Sequence, residues 1–411
     1  MAHSKARCIG LLTAGGDCPG LNAVIRAITK VAFHEHGIRV IGIQDGFRGL
    51  VENRTVQLDE EVVSGILTRG GTILGASRDK PHSMRVNGQL RDMTDAAVET
   101  VREHRMDCLV CLGGGGTAKN AYRLWQKGGI EVMTVPKTID NDVYGTDVSF
   151  GFDTAVGIAT DAIDRLHTTA TSHHRMIVCE VMGHRAGWLA LESGLAGGAD
   201  VILIPEIPYD LQRIAEFLLV RRKQGKRFSI IAAAEGAKSR AEVRERERAK
   251  RRGKGGEAPR VERRRPGKKA GGRAEVAVTE SEAVDAIRSD LPLKVRKMHE
   301  EVMAYHAVQE PMATRLARQL QELTGVEARV TSLGHVQRGG IPSAFDRTLC
   351  TLLGAKAADL LAAGKYGVMV AYRDGACLPV PLGEVVGRRK PVPLDHPLLD
   401  AARKVGTCFG E

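Results

Sequence analysis

Short apolar runs recur along this chain, each closing on glycine or a polar turn, with stretches of helical periodicity between them. The runs predict strands over 7–14, 39–43, 107–112, 132–135, 176–181, 201–205, 228–234 and 367–372, and another leading through Arg329. Most are apolar without interruption, which fits strands covered on both faces, as in parallel sheets. Helices are expected over 21–35, 93–103, 118–127, 151–169, 210–224, 281–306, 312–323 and 346–363. In 151–169, Ala155, Ile158, Ala159, Ala162, Ile163 and Leu166 share one face. Strand–helix alternation from end to end means an α/β architecture with parallel sheets. From about Gly387 the chain is basic and proline-containing and fits neither template.

At 411 residues the chain is long enough for two domains with cores of their own. Aromatics make up only 4%, so small and β-branched side chains must fill much of the interior. No run is long enough to span a bilayer, and Met1–Arg7 lacks the shape of a secretory leader. Eight scattered cysteines suit reduced thiols in a cytoplasm. Cys108 and Cys111 form a C-x-x-C, but inside an apolar run, so buried core is expected there and not metal or redox chemistry. The net charge of +11 is local: residues 239–275 hold 15 Lys and Arg against 6 Asp and Glu, which leaves +2 for the rest. That segment has few apolar residues and is expected to be a solvated, disordered insertion. Polyanion or nucleic-acid binding is the sharper alternative for it.

Candidate chemistry gathers at strand ends. Pro136-Lys137-Thr138-Ile139-Asp140-Asn141-Asp142 follows the 132–135 run, just where open α/β sheets place ligands. Extended backbone there would point Asp140 and Asp142 one way, and Ile139 and Asn141 the other. One carboxylate could take a hydroxyl proton and the other could sit by a metal; a polar loop with an Asp cap explains the same residues. Gly15-Gly16-Asp17 and Gly113-Gly114-Gly115-Gly116-Thr117 each sit between a strand and a helix, an arrangement suited to phosphate. His173 and His174 are adjacent and would point apart, so they are not expected to bind metal.

Those motifs, with Gly20-Leu21-Asn22, Met182-Gly183 and Gly334-His335-Val336-Gln337-Arg338-Gly339-Gly340 in the same order, resemble the 6-phosphofructokinases over nearly the whole chain outside 239–275. The resemblance implies two doubly wound, mostly parallel α/β/α sandwich domains with the site in the cleft between them. The donor domain would be 1–150 completed by 342–390, the fructose 6-phosphate domain 151–341, and 391–411 a C-terminal extension. It implies phosphoryl transfer from ATP to the 1-hydroxyl of fructose 6-phosphate, with Asp140 as base and with Thr138 and Lys137 beside the transferring group. Donor contacts would come from Gly15, Gly16, Arg78, Asp79, Gly114, Gly115, Gly116 and Thr117. Sugar phosphate contacts would come from Thr138, Asp140, Asp142, Arg175, Met182, Gly183, His184, Arg185, Glu235, Arg329, His335 and Arg338. Arg175 and Arg329 would serve a neighbouring subunit in a homo-oligomer, and magnesium would accompany the nucleotide.

The sequence departs from the family pattern in three places. The usual magnesium aspartate is replaced by Gly115, leaving Asp142 as the candidate ligand. His184-Arg185 reverses the usual order, with Lys137 and Arg185, or else His184, expected to offset charge on the transferring phosphoryl group. Lys137 itself is the residue of pyrophosphate-using relatives, yet those relatives carry an aspartate where Gly116 stands, in the space of the ATP α-phosphate. Pyrophosphate use, or a catalytically weak regulatory paralogue, are the alternatives to ATP-dependent catalysis.

Overall fold

The computed structural model describes residues 6–254 and 311–411, so the helix expected over 281–306 lies outside them. The apolar runs form two sheets. The larger has seven strands in the order β13-β12-β7-β6-β1-β2-β3. Its centre is β1 (Cys8–Thr13), flanked by β6 (Cys108–Gly113) and β2 (Arg39–Ile43), with β7 (Val132–Pro136) beside β6. These are parallel and fully or almost fully buried, as their unbroken apolar sequence requires. β12 (Val368–Arg373) continues parallel to β7. The edges are antiparallel: β3 (Thr55–Leu58) on β2 and β13 (Ala376–Pro381) on β12. A separate hairpin pairs β4 (Met84–Val86) with β5 (Gln89–Arg91).

The smaller sheet is all parallel, in the order β11-β8-β10-β9, from β8 (Met176–Val181), β9 (Val201–Leu203), β10 (Ser229–Ala234) and β11 (Ala328–Ser332). Helices cover the sheets: α1 (Leu21–His34), α2 (Phe47–Val51), α3 (Thr94–Glu103), α4 (Gly115–Gly128), α5 (Phe152–His173), α6 (Trp188–Ala196), α7 (Leu211–Lys223) and α8 (Arg240–Lys254), followed by Met312–Thr324 and Ala344–Ala362. One apolar cluster runs from Ile9 and Leu112 through Phe150 and Ile163 to Val181 and Ala232, so both sheets share a core. Cys108 and Cys111 are buried within it or its neighbour as free thiols, raised by burial.

Two features differ from expectation. The segment expected to be disordered over 239–275 begins as helix α8. Ser239 caps it, exchanging hydrogen bonds with Glu242 in a capping box, and Glu242 pairs with Arg315 at 2.6 Å. Arg and Glu alternating from Arg244 to Arg248 place opposite charges three residues apart, an (i, i+3) arrangement that composition alone hides. Residues 255–275 lie outside the description. The C-terminal stretch that fitted no template crosses the molecule instead. Arg389 bridges Val143, helix Pro397–Lys404 follows, and Cys408 pairs with Val201 at the edge of the smaller sheet.

α5 and helix Ala344–Ala362 cap one another at their amino ends. The wholly buried Asp346 accepts from the backbone N–H groups of Gly151 and Thr154, both at 2.9 Å, and from the Thr154 hydroxyl at 2.5 Å. In return Ser343 donates its N–H to Thr154 Oγ1 and caps its own helix through Asp346 N–H. Each helix start follows a motif loop, so this exchange fixes 137–150 and 334–340 relative to each other. Asp346→Ala leaves two N–H groups and a hydroxyl without acceptors in the core and should cost about 2–4 kcal/mol. Chemical denaturation checks this, and a loss below about 1 kcal/mol contradicts the capping role.

Candidate active site

The carboxyl ends of β1, β6 and β7 converge where the chain turns to opposite sides of β1, the crevice where doubly wound sheets bind ligands. Backbone bonds hold the three turns together: Ala14 N–H to Leu112, Gly15 N–H to Ser77, and Lys137 N–H to Gly113. A cavity of about 350 Å³ opens there. Gly15, Gly16, Arg78, Asp79, Gly114, Gly116 and Thr117 line its outer part, and Lys137, Thr138, Asp140, Asp142 and Arg338 its floor. The expected alternation holds in effect, since both aspartates face the cavity while Ile139 and Asn141 are buried. The backbone achieves it with a turn instead of a strand, with Asn141 left-handed at φ 50°.

Lys137 is almost fully buried, and its ammonium donates to the Gly16 carbonyl, tying the β7 turn to the β1 turn. Burial lowers its proton affinity, and nearby Arg338 adds to that. The Arg338 guanidinium lies against the glycine turn too, with Nη1 donating to Asp17 O at 3.2 Å and its Nε buried without a partner. Thr138 Oγ1 accepts from Asp140 N–H at 3.1 Å. Asp140 Oδ1 is buried with no hydrogen-bond partner. Burial first, then Asp142 and Glu235, push the Asp140 carboxyl up to about 6, with Arg338 and Lys137 opposing. A carboxylate with a free oxygen and an affinity near neutrality is suited to taking a proton from a bound hydroxyl.

At the β6 turn, Gly115 and Gly116 open α4, and an added Cβ at either would meet nothing within 4 Å. Gly114 sits one residue earlier, as the extended N-cap. The space is empty, and three backbone N–H groups at a helix start face outward without a side-chain cap. Arg78 is exposed on the rim. Asp79 faces the cavity but is held by Arg48 in a two-bond fork, both at 2.9 Å, which keeps its carboxyl below the usual range. Asp79 therefore orders the loop before it can touch a ligand. Asn22 likewise proves structural, accepting from Ile73 N–H and donating to the Arg69 and Gly70 carbonyls.

Other predicted residues fall into three places. His335 is exposed on the 3₁₀ turn Gly334–Arg338, which Gln337 pins to Met182 through the Met182 N–H at 3.2 Å. Gly183 and Glu235 follow β8 and β10, and Gly236 lets that turn approach His184, whose carbonyl would lie 2.0 Å from an added Cβ. His184 and Arg185 are exposed and line a neighbouring cavity of about 560 Å³ with Lys238 and Arg246, not the Asp140 cavity. Arg338 takes the place expected for Arg185 beside Lys137. Arg175 and Arg329 sit at the amino ends of β8 and β11, both on Glu327, with Arg175 Nε at 2.7 Å. A strand of five residues spans about 17 Å, so neither serves the cavity of its own chain.

Phe47, Lys80 and Asn120 also line the cavity without having been anticipated. The place of Lys390, which does not line the cavity, was not anticipated either: its ammonium donates to Asn141 Oδ1 at 2.9 Å, Thr146 O at 3.1 Å and Asp147 O at 2.5 Å, in the loop that carries Asp140. Burial brings it down to about 8, against the pull of Asp147, Glu192 and Asp142, so it is charged at neutral pH. In sequence it stood in Arg388-Arg389-Lys390-Pro391, a basic stretch with no helical or strand pattern to mark it.

A relative named ATP-dependent 6-phosphofructokinase from Propionibacterium freudenreichii subsp. shermanii is 48% identical over 404 residues, covering 98% of this chain and 99% of its own. One of the same name from Spirochaeta thermophila is 48% identical over 415 residues, covering all of both chains. Among solved structures, phosphofructokinase from Saccharomyces cerevisiae superposes with a TM-score of 0.67 at 26% identity, over 92% of this chain and 45% of the yeast chain. The family profile described as Phosphofructokinase matches residues 8–361, and the chain belongs to that family.

Proposed function

We infer that this chain is an ATP-dependent 6-phosphofructokinase, a phosphotransferase that moves the γ-phosphoryl group of ATP to the 1-hydroxyl of fructose 6-phosphate in glycolysis. The observation that carries this is Asp140, a half-buried aspartate whose Oδ1 is enclosed without a partner and whose carboxyl is pushed up to about 6, lining a cavity with two glycine turns. Asp140 takes the hydroxyl proton as the oxygen attacks phosphorus. Lys137 and Arg338 offset charge on the equatorial oxygens, and Thr138 steadies the group. The N–H groups of Gly114–Gly116 and the Gly15-Gly16 turn receive the donor phosphates, with Arg78 at the rim. Donor binding falls to 1–150 with 342–390, and sugar binding to 151–341 through Met182, Gly183, Glu235 and His335. The segment 391–411 is an extension packed on the smaller sheet and its flanks, with Val392 on Glu206, Cys408 beside Val201 and Gly410 on Asp210. The enzyme works in the cytoplasm; among the described residues no helix is long and apolar enough to cross a membrane.

Among the described residues no cluster of three His, Cys, Asp or Glu could hold a metal alone. Asp140 and Asp142 fit a cation that brings its own phosphate and water ligands, as magnesium on a nucleotide does. Asp142 is then the protein's ligand, Gly115 offers none, and the ion supplies charge neutralisation on the phosphates.

Asp140→Asn should lower kcat by at least about a hundredfold with little change in either KM, the pattern of a lost base. Steady-state assay with fructose 6-phosphate and ATP checks it, and a variant within a few-fold of wild type removes Asp140 from the chemistry.

The donor is decided by what is absent at 116. Lys137 assists either donor, whereas an aspartate at 116 would fill the α-phosphate space and repel it, and exclusion sets specificity. The open space at Gly116 therefore assigns ATP. kcat/KM for ATP should exceed that for pyrophosphate by well over tenfold, a gap above about 1.4 kcal/mol. Gly116→Asp should abolish ATP use. Equal or better wild-type turnover with pyrophosphate reverses the donor assignment.

Arg175 and Arg329 gather two positive charges on one carboxylate, far from the cavity of their own chain. They complete the sugar phosphate site of a neighbour in a homo-oligomer. Arg175→Ala and Asp140→Asn chains, each nearly inactive alone, should regain activity when dissociated and reassembled together. Additive, unrecovered activity would place both residues in one site.

A further inference from the structure

Lys390 lies outside the matched family region of 8–361, yet its ammonium is hydrogen-bonded to the turn that carries Asp140 and Asp142. An ammonium has three N–H donors, and Lys390 gives all three to loop 141–147: the Asn141 side chain and the Thr146 and Asp147 carbonyls. Its own backbone joins the same loop, with Lys390 N–H donating to Asp142 O at 3.1 Å beside the Val143–Arg389 bridge. On the other side its carbonyl accepts from Trp188 Nε1 at 2.9 Å, and its ammonium lies 5.4 Å from the Trp188 ring centre. Two residues on, Val392 N–H donates to Glu206, which also accepts from Gly187 N–H.

We propose that Lys390 is a positioning residue for the phosphoryl transfer: its ammonium fixes the turn that carries Asp140 and Asp142, and its backbone ties that turn to the Gly187-Trp188 start of α6 on the smaller sheet. This deepens the phosphofructokinase assignment and rests on it. The geometry requires such a tie. Asn141 holds a left-handed backbone between the two carboxylates, Lys390 donates to the Thr146 carbonyl at 3.1 Å, and the Asn141 amide reaches the Asp147 carbonyl only at 3.5 Å. A cation pairing all three at once gives a single turn geometry, and a displacement of about 1 Å at the base is enough to lower the rate by a large factor. Lys390 touches no reacting atom, so its loss acts on kcat through Asp140 and not on ligand affinity.

The test uses the full chain with Lys390→Met, which keeps the length and removes the donors. Hydrogen exchange on the ligand-free protein is read at 139–149, alongside kcat and both KM values. Faster exchange confined to that loop, kcat down at least tenfold and KM values within threefold are expected. Lys390→Arg, which keeps the charge and donors, should recover most of both effects. Arg388→Met, which alters only the contact with Tyr144, should match wild type. Wild-type exchange and kcat in Lys390→Met overturn the proposal, as does a loss of protection spread over both sheets. If Lys390→Met does not fold, Lys390→Gln is read in the same way. The exchange readout needs no turnover, so wild-type inactivity with ATP and fructose 6-phosphate would count against the enzymatic assignment alone.

Discussion

Everything at the site depends on the Asn141 side chain. It stands between the two carboxylates, in a backbone conformation that Asn tolerates better than most residues. Its amide oxygen gathers Ser149 N–H at 3.1 Å and Lys390 Nζ at 2.9 Å, closing loop 141–149 on itself. Ser149 Oγ then donates to the Thr138 carbonyl at 2.8 Å. Because Ser149 within the loop and Lys390 from outside it meet the polar needs of the turn, Asp140 and Asp142 are left to face the cavity. Aspartate at 141 would add a third negative charge beside two others, and alanine would leave Ser149 N–H and the ammonium without their shared acceptor.

The cavity is electrically balanced by burial and not by surface ion pairs. Lys137 pays for its loss of water with one strong bond to the Gly16 carbonyl. Its charge, with that of Arg338, offsets the mutual repulsion of Asp140, Asp142 and Glu235. Neither cation forms a direct pair with Asp140, whose free oxygen stays free. Two cations held on carbonyls can change partners for an anion without first breaking a salt bridge.

Sequence pattern disclosed the central strands because burial on both faces leaves an unbroken apolar run. It missed the elements that burial marks weakly. β3 is half-exposed, and β13 carries Pro379 and Pro381 at an edge where proline is tolerated. α6 is apolar nearly all round, WLALESGLA, because it is enclosed by the core, so no stripe betrays it. Motif loops gave the cavity residues well, including both aspartates and Gly15, Gly16, Gly114 and Gly116, though not Gly115. Positions set by contacts distant in sequence were not legible. Arg338 reaches across 321 residues to Asp17, and Lys390 across 249 to Asn141. Asp346 looked like a first-turn helix aspartate, yet it serves another helix 192 residues away.

The smaller sheet shows how one set of strands can serve two ends. β8 and β11 run parallel in register, Ala328 beside Met176 and Ser332 beside Glu180. At their amino ends stand Arg175 and Arg329 on Glu327; at their carboxyl ends stand Met182 and the 334–338 turn, joined by Gln337. Glu180 lies near the far end and accepts from Ser332 Oγ at 2.8 Å and from Ala313 N–H at 3.1 Å, locking both strands to the helix Met312–Thr324. β11 is mostly exposed, but it is paired along its length with buried β8, and a slip by one residue would break that pairing and turn its side chains over. The separation of the arginine pair from the 334–338 turn is therefore fixed by strand length, and the two ends can shift only as one body.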